Sequence, residues 1–436
     1  MGWYPVSFAK PSKSPRRIAL VDCNNFYASC ERVFTPAWER KPIGVLSNND
    51  GCIIARSNEL KEAGIPMGAP FFKYRKQLRQ MGAVVVSSNY ELYGDMSARV
   101  MNTLGEFTPE MEVYSIDEAW LDLTGFCTAS LDAYGRNIVA KTRQYTGIPV
   151  SMGIGPTKVL AKVANRLCKK HKIPGQVFNI GSADALDDVL ASVDVEDIWG
   201  IGRRWAAKLR ATGIYTAKDL RDADHQAMRR SYNVVMERLI LELRGVPCLG
   251  FEDIVPKKQI IASRSFGQRV TELEPMLQAI STHAARAGDK LRSQQSACGG
   301  IQVSIRTGKH SPNEPYYGNS TMLRFPVATS DSRKLISAAC QGLKSIYRQG
   351  PKYAKAGVML FGIVPANCIQ HGLFQRGDSD KAIRLMQAVD GINKTYGRQT
   401  VFFASQGISG KQNWAMKRDR MSRSFTTSWQ DLPVVC

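Results

Sequence analysis

Three carboxylates stand out by where they fall. Asp22 closes the apolar run IALVDC, and Asp117 and Glu118 are adjacent inside VYSIDEAWLDL. In a flat strand, neighbouring side chains point to opposite faces, so one of the pair would be driven towards a core. Both acids can aim at one point only if the chain turns between them. That makes MEVYSI and AWLDL two arms of a hairpin with the acids at its tip. With Asp22 brought alongside, three carboxylates converge on the sheet ends, and such a cluster repels itself unless hard divalent cations neutralise it. Mg2+ takes one or two carboxylates together with waters and substrate phosphates. Two such ions, about 3.5–4 Å apart, activate a hydroxyl and stabilise the leaving oxygen of a phosphoryl transfer. Spacing alone leaves a plainer alternative open, in which Asp22 caps a helix and the acidic pair is a polar turn.

The elements that must position these acids are legible in the pattern. IALVDC (18–23) reads as a buried strand and FYASCERVF as a helix. Residues 43–56 form two strands around an Asn-Asn-Asp-Gly turn, residues 57–64 and 70–81 are helical, and AVVVSS (83–88) is a strand. A long helix starts at ELYGDM, residues 130–146 have helical period, and PVSMGIG (149–155) is another strand. Alternation of this kind to about residue 180 favours an α/β or α+β sheet domain. Residues 185–247 are helical and 248–258 a linker. Residues 259–365 are mixed again, with strands in GGIQVSIRTG and GVMLFGIVP and helices starting at Glu274 and Ser332. Past 366 comes a tail rich in Gly, Gln, Arg and Ser, with order expected around TVFFASQG.

Two further stretches suit phosphates. MGIGPTKVLAKVANRL places a Gly-rich turn before a helix with Lys158 in its opening turn, and amides exposed at a helix start attract anions. Trp199-Gly200-Ile201-Gly202 followed by RRWAAKLRATGI fits a helix-hairpin-helix. There, glycines let backbone N–H groups approach a DNA phosphate and Arg203, Arg204 and Lys208 add charge, a sequence-independent contact.

The composition agrees with a polyanionic partner. The chain has 436 residues, enough for two to four domains, and 59 Lys plus Arg against 38 Asp plus Glu give a net charge of +21. At 44% hydrophobic residues it can bury proper cores. Nucleic acid is the leading partner class, since no run of about 18 apolar residues exists for a membrane. Residues 1–17 read as a disordered basic arm with no apolar signal core. The ten cysteines contain no C-x-x-C pair, which argues against zinc or a disulfide framework and for a reduced, cytoplasmic protein.

Asp22-Cys23-Asn24-Asn25-Phe26-Tyr27 together with Ser115-Ile116-Asp117-Glu118-Ala119 closely resembles the two catalytic motifs of Y-family translesion DNA polymerases. Within that family the resemblance is to the UmuC branch, over roughly residues 18–436. It implies an α+β multidomain right hand: a palm (18–26 and 90–184), small fingers (27–89), a helical thumb with the helix-hairpin-helix (185–247), a linker (248–258), a little finger (259–365) and a C-terminal tail (366–436). Asp22, Asp117 and Glu118 are then ligands of two Mg2+ ions, and Cys23 offers its backbone carbonyl. Tyr27, beside Phe26, falls on the steric gate that leaves no room for a ribose 2′-hydroxyl. Lys158 matches the triphosphate lysine. Lys61 stands where relatives often have a phosphate-binding Arg, while Asn58 replaces their Tyr. About 95 residues separate Asp22 from Asp117, so the fingers are small and the site is expected to be open and weakly selective.

In the same resemblance SRSFGQRV, IQVSIRTGKH and KYAKAG supply the little finger's basic edges, whose summed charge serves salt-dependent phosphate contact. Gln370, Leu373 and Phe374 fit the Gln-x-x-Leu-Phe peptide by which bacterial polymerases dock on the sliding β-clamp: a short extended segment drops Leu and Phe into an apolar pocket. The tail implies contacts with a UmuD′-type dimer and RecA. The expected activity is error-prone transfer from a dNTP to the primer end of primer-template DNA, in SOS damage tolerance and mutagenesis. A nucleotidyl cyclase has a similar palm but needs no DNA grip. An inactive DNA-binding scaffold is the other alternative, opposed by the joint presence of Asp22, Tyr27, Asp117, Glu118 and Lys158.

Overall fold

A computed structural model describes residues 16–126, 130–182, 186–251, 256–309, 314–372, 374, 377–407, 412 and 414–432. Most of the basic arm therefore lies outside the described residues. The chain divides into two compact units, Met1–Leu46 with Cys52–Asp253 and Arg420–Cys436, and Ser47–Gly51 with Ile254–Asp419.

The first unit opens with β1 (Ile18–Cys23), α1 (Phe26–Val33), β2 (Ile43–Leu46), β3 (Ile53–Arg56), α2 (Asn58–Glu62), α3 (Phe71–Gln80), β4 (Val84–Ser87) and α4 (Tyr90–Gly105). It continues through β5 (Met111–Val113), β6 (Glu118–Asp122), α5 (Leu131–Thr146), β7 (Val150–Gly155), α6 (Lys158–Lys170) and β8 (Val177–Asn179). Helices α7 (Leu186–Ala191), α8 (Arg203–Arg210), α9 (Ala217–Asp222), α10 (His225–Ser231) and α11 (Val234–Leu243) follow and share one core.

The main sheet has the order β5-β6-β1-β7-β8, with β1 antiparallel to both neighbours. As the central strand, β1 is covered on both faces, which is why its sequence is an unbroken apolar run rather than an alternation. Ala19, Val21 and Cys23 enter the large core with α1, α4 and α5 residues. Ile18 and Leu20 face the other way, onto Trp120 of β6 and Ala161 of α6. Asp22 shares the parity of Ile18 and Leu20, and so shares the α6 face.

Helix α6 can lie close to the sheet because β7 offers glycines beneath it. A Cβ on Gly153 would stand 2.1 Å from the Asn165 amide nitrogen and 2.2 Å from the Ala161 carbonyl oxygen. The Gly-rich turn read from the sequence as a phosphate cradle is thus a packing surface. A second, three-stranded sheet has the order β3-β2-β4 and packs Leu46 and Ile53 against Leu60 and Leu78. Its β2–β3 hairpin turns through Asn49 and Asp50, both at positive φ (62° and 52°), where Asn and Asp are better tolerated than bulkier residues.

The second unit holds β9 (Ile260–Val270), α12 (Leu273–Ser293), β10 (Ser296–Thr307), β11 (Gly318–Thr329), α13 (Ser332–Ile346), β12 (Tyr353–Pro365) and α14 (Asp380–Tyr396). Its sheet runs β11-β10-β12-β9, with α12 and α13 contributing to one core. Helix α14 is unexpected: order in the tail was anticipated only near residues 400–407. Ser379 caps it by accepting from the Ala382 N–H, and its only buried residues are Ala382 and Met386. Its hold on α12 is ionic, with Arg292 donating to both Asp390 oxygens at 2.6 and 2.8 Å. A helix held that way leaves little hydrophobic period to read. Among the described residues no helix is long and apolar enough to cross a membrane.

Replacing Gly153 by Ala should force α6 off the sheet and lower the unfolding free energy by about 1–3 kcal/mol, the usual cost of overpacking. Urea denaturation with an unchanged midpoint would contradict this close packing.

Candidate active site

The acids sit where two strands end together. Asp22 pairs across the ladder with Glu118, the first residue of β6. Directly opposed residues in an antiparallel pair hold their Cβ atoms about 4.5–5.5 Å apart on one face, so two carboxylates stand side by side. The hairpin anticipated from VYSIDEAWLDL is present, with Val113 opposite Ala119 and residues 114–117 turning between the strands. Within that turn the Ser115 hydroxyl donates to Asp117 Oδ1 at 2.7 Å and accepts from the Asp117 N–H at 3.2 Å. The Asp117 carbonyl accepts from the Cys23 N–H at 2.8 Å, extending the β1 pairing to the acid tip.

The electrostatics carry the imprint of crowding. Asp22 is pushed up to about 6 by burial and by the neighbouring Glu118 carboxylate, against the pull of Lys169. Burial raises the Cys23 thiol, and the charges of Asp22, Asp117 and Glu118 raise it further. Burial likewise raises the Tyr27 phenol, with Tyr90 and Asp117 adding to it.

Three lysines of α6 answer these acids. Residues four and seven apart on a helix share a face, and positions 158, 162 and 169 run along one side. Lys169 is ion-paired to Asp22. Lys162 donates to both oxygens of Glu118 at 3.1 and 2.9 Å, and its ammonium lies 4.9 Å from the Tyr114 ring centroid and 5.3 Å from that of Trp199. Lys158 reaches Glu112 of β5 at 2.6 Å and the Gly250 carbonyl at 2.7 Å.

This corrects the reading of Lys158 as a triphosphate lysine. Lys158 is 3% exposed and is stacked between the Trp120 and Phe251 rings. The start of α6 does bind an anion, as expected of a helix terminus, but the anion is internal. Glu242, fully buried, accepts from the Val159 N–H, and from Cys248 and Leu249 through its other oxygen. Lys162 and Lys169, missed in the sequence, take the places beside the acids. Their signal was the stripe Lys158, Lys162, Lys169, seen only once the sheet face opposite α6 is known.

The remaining expected residues fall as follows. Phe26 is buried in the core, whereas Tyr27 is half-buried and stacked on Tyr93 at 4.4 Å. Lys61 donates to Asn25 Oδ1, and Asn25 donates to Asn58 Oδ1 at 2.9 Å. Asn58 thereby has a role that was open: it orients Asn25, which holds Lys61. Burial lowers Lys61, helped by the Arg56 and Lys169 charges and opposed by Asp22. In the helical region Gly200 adopts φ +90° and Gly202 caps α8, with Arg203, Arg204 and Lys208 exposed. Gln370 is exposed and Phe374 is 98% exposed, while Leu373 lies outside the described residues. Trp120, fully buried, lies against Tyr114 and Trp199, and Asp122 caps the turn at Thr124.

The comparisons with known proteins agree with this geometry. The Y-family DNA polymerase chimera Dbh-Dpo4(243-245)-Dbh matches with TM-score 0.64 at 21% identity, over 80% of this chain and 99% of that one. The insertion ternary complex of Dbh DNA polymerase matches with TM-score 0.53 at the same identity, over 80% of this chain and 99% of that one. The fold is thus that of a Y-family DNA polymerase.

Residues 21–166 match the impB/mucB/samB family, residues 257–373 its C-terminal domain, and residues 383–435 a domain of unknown function (DUF4113). The chain is 46% identical over 418 residues to Protein UmuC of Salmonella typhimurium (strain LT2), covering 95% of this chain and 99% of that protein. It is 42% identical over 421 residues to Protein SamB of Salmonella typhimurium, with the same coverage, and 26% identical over 405 residues to DNA polymerase IV 1 of Bacillus subtilis, covering 90% of this chain and 93% of that protein. The chain belongs to the impB/mucB/samB family and is a UmuC-type Y-family translesion DNA polymerase.

That family implies divalent metal dependence. Among the described residues no group of three or more His, Cys, Asp or Glu side chains is arranged to hold a metal ion. The structure brings Asp22 and Glu118 together and turns Asp117 towards Ser115. The donor chemistry still fits: the paired carboxylates of Asp22 and Glu118 offer the oxygen ligands that suit a hard cation.

Lys158→Met should lower the unfolding free energy by about 3–5 kcal/mol, because a broken buried pair leaves its partner charge behind. Lys169→Met, at a side chain about a third exposed, should cost about 1 kcal/mol or less. Urea denaturation of both variants tests this; the opposite order would return Lys158 to the site.

Proposed function

We propose that the chain is an error-prone DNA polymerase that extends a primer 3′-hydroxyl with a dNTP, templated by DNA, in SOS damage tolerance and mutagenesis in the cytoplasm. The observation that carries this reading is the Asp22–Glu118 register at the joint end of β1 and β6, with Asp117 one residue away. Two Mg2+ ions, held by Asp22, Asp117, Glu118 and the backbone carbonyl of Cys23, would supply hydroxyl activation and charge neutralisation at the leaving pyrophosphate.

The chain's own residues do the rest. Lys169 and Lys162 neutralise the acids and lie beside the position of developing phosphate charge, with Lys61 nearby. Preorganised ammonium groups in such a place stabilise a phosphoryl transition state. Tyr27, braced on Tyr93, presents its ring where a ribose 2′-hydroxyl would fall. The glycines of the 200–202 turn, with Arg203, Arg204 and Lys208, support phosphate-backbone contact in the thumb, and the basic strands of the little finger support more of it. Gln370, Leu373 and Phe374 are proposed to dock on the sliding β-clamp, a reading supported by the exposure of Phe374 beyond β12. A UmuD′-type dimer and RecA are the further partners implied for the tail.

Asp117→Ala should abolish primer extension while leaving primer-template binding intact in a gel-shift assay; surviving extension would remove the carboxylates from catalysis. Changing Leu373 and Phe374 together to Ala should remove clamp stimulation of synthesis, with clamp-free synthesis as the reference. Equal stimulation would refute the docking peptide.

A further inference from the structure

Residues Arg420–Phe425 lie in the segment that matches a domain of unknown function, and they are built into the first unit. They run along β4, the edge strand of the three-stranded sheet. The Ser87 N–H donates to the Arg420 carbonyl at 3.0 Å, the Arg420 N–H donates to Ser87 Oγ at 3.0 Å, and Ser87 and Met421 form a parallel bridge. Asn89 donates to Ser422 Oγ at 3.0 Å and to the Arg423 carbonyl at 3.3 Å. Phe425, nearly buried, stacks on Phe34 at 4.9 Å with planes 5° apart, next to the end of α1.

The consequence lies on α1. Tyr27 and Glu31 are four residues apart on that helix and therefore share a face. Glu31 is fully buried, and a buried carboxyl is costly unless hydrogen-bonded. Its Oε1 accepts from Tyr93 at 2.7 Å and from Ser422 at 3.2 Å, and its Oε2 has no partner among the described residues. Tyr93 in turn is the ring on which Tyr27 stacks, 13° from parallel. A continuous contact therefore runs from Ser422 through Glu31 and Tyr93 to Tyr27.

We propose that Ser422 is a positioning residue for sugar selection: by anchoring Glu31 it fixes Tyr93, and Tyr93 fixes the gate ring of Tyr27. The C-terminal segment is then a strap that sets how firmly the polymerase rejects ribonucleotides. This rests on the gate reading of Tyr27 given above. Without the Ser422 hydroxyl, Glu31 is held by Tyr93 alone, and the stacked pair gains room to yield to a 2′-hydroxyl.

The test is single-nucleotide extension by the full chain opposite a template dG, comparing kcat/KM for dCTP and CTP. Ser422→Ala should lower the deoxy-to-ribo ratio by about fivefold, the worth of one hydrogen bond, and Ser422→Thr, which keeps the hydroxyl, should restore it. A purely structural role would lower both rates alike with the folded fraction and leave the ratio unmoved. Tyr27→Ala is run beside them. If it relaxes the ratio and Ser422→Ala does not, the strap has no part in selection and the inference falls. If Tyr27→Ala itself leaves the ratio unchanged, the gate reading fails and takes this inference with it.

Discussion

The site depends on one electrostatic constraint: acids on one face of the main sheet are met by a single helix carrying ammonium groups at matching intervals. Asp22, Glu118 and Glu112 pair with Lys169, Lys162 and Lys158 of α6. Carboxylates this close cannot all stay charged in a partly buried place without cations. Helix α6 supplies them, and Gly153 lets it approach closely enough to do so. The pairs grade from buried to open along the helix. Lys158 is buried and satisfied, Lys162 is partly exposed between aromatic rings, and Lys169 is the most open of the three.

The aromatic residues around this zipper tie the site to the helical region. Tyr114 in the acidic turn, Trp120 on β6 and Trp199 beside the glycine turn form one contact group, with Trp199 donating to the Tyr114 hydroxyl at 3.3 Å. Lys162 lies against two of these rings while holding Glu118. The residue preceding the proposed phosphate-gripping turn is thus two contacts from the carboxylate pair. The other face of β1 is different in kind. It is an ordinary apolar core that receives α1 and α4, with the partly buried Tyr27 packed against it.

Much of this was legible in the sequence because it is local. IALVDC, the hairpin in VYSIDEAWLDL, the β2–β3 turn and the helix after Gly155 all announce themselves through apolar period or turn residues, and those signals need no distant partner. The elements that escaped are held by partners far away in the chain. Helix α14 buries only Ala382 and Met386 and is held by Arg292. The strap at 420–425 has no periodicity and gains its order from Ser87, Asn89 and Glu31.

The sequence by itself determined the acids, their placement at strand ends and the family, since motif and spacing are written in consecutive residues. Tertiary structure alone decided which lysine serves which acid. Lys158 and Lys169 look equally suited on paper. One meets Glu112 under Trp120 and the other meets Asp22 at the open edge, because a helix stripe acquires meaning only from the sheet face against which it lies.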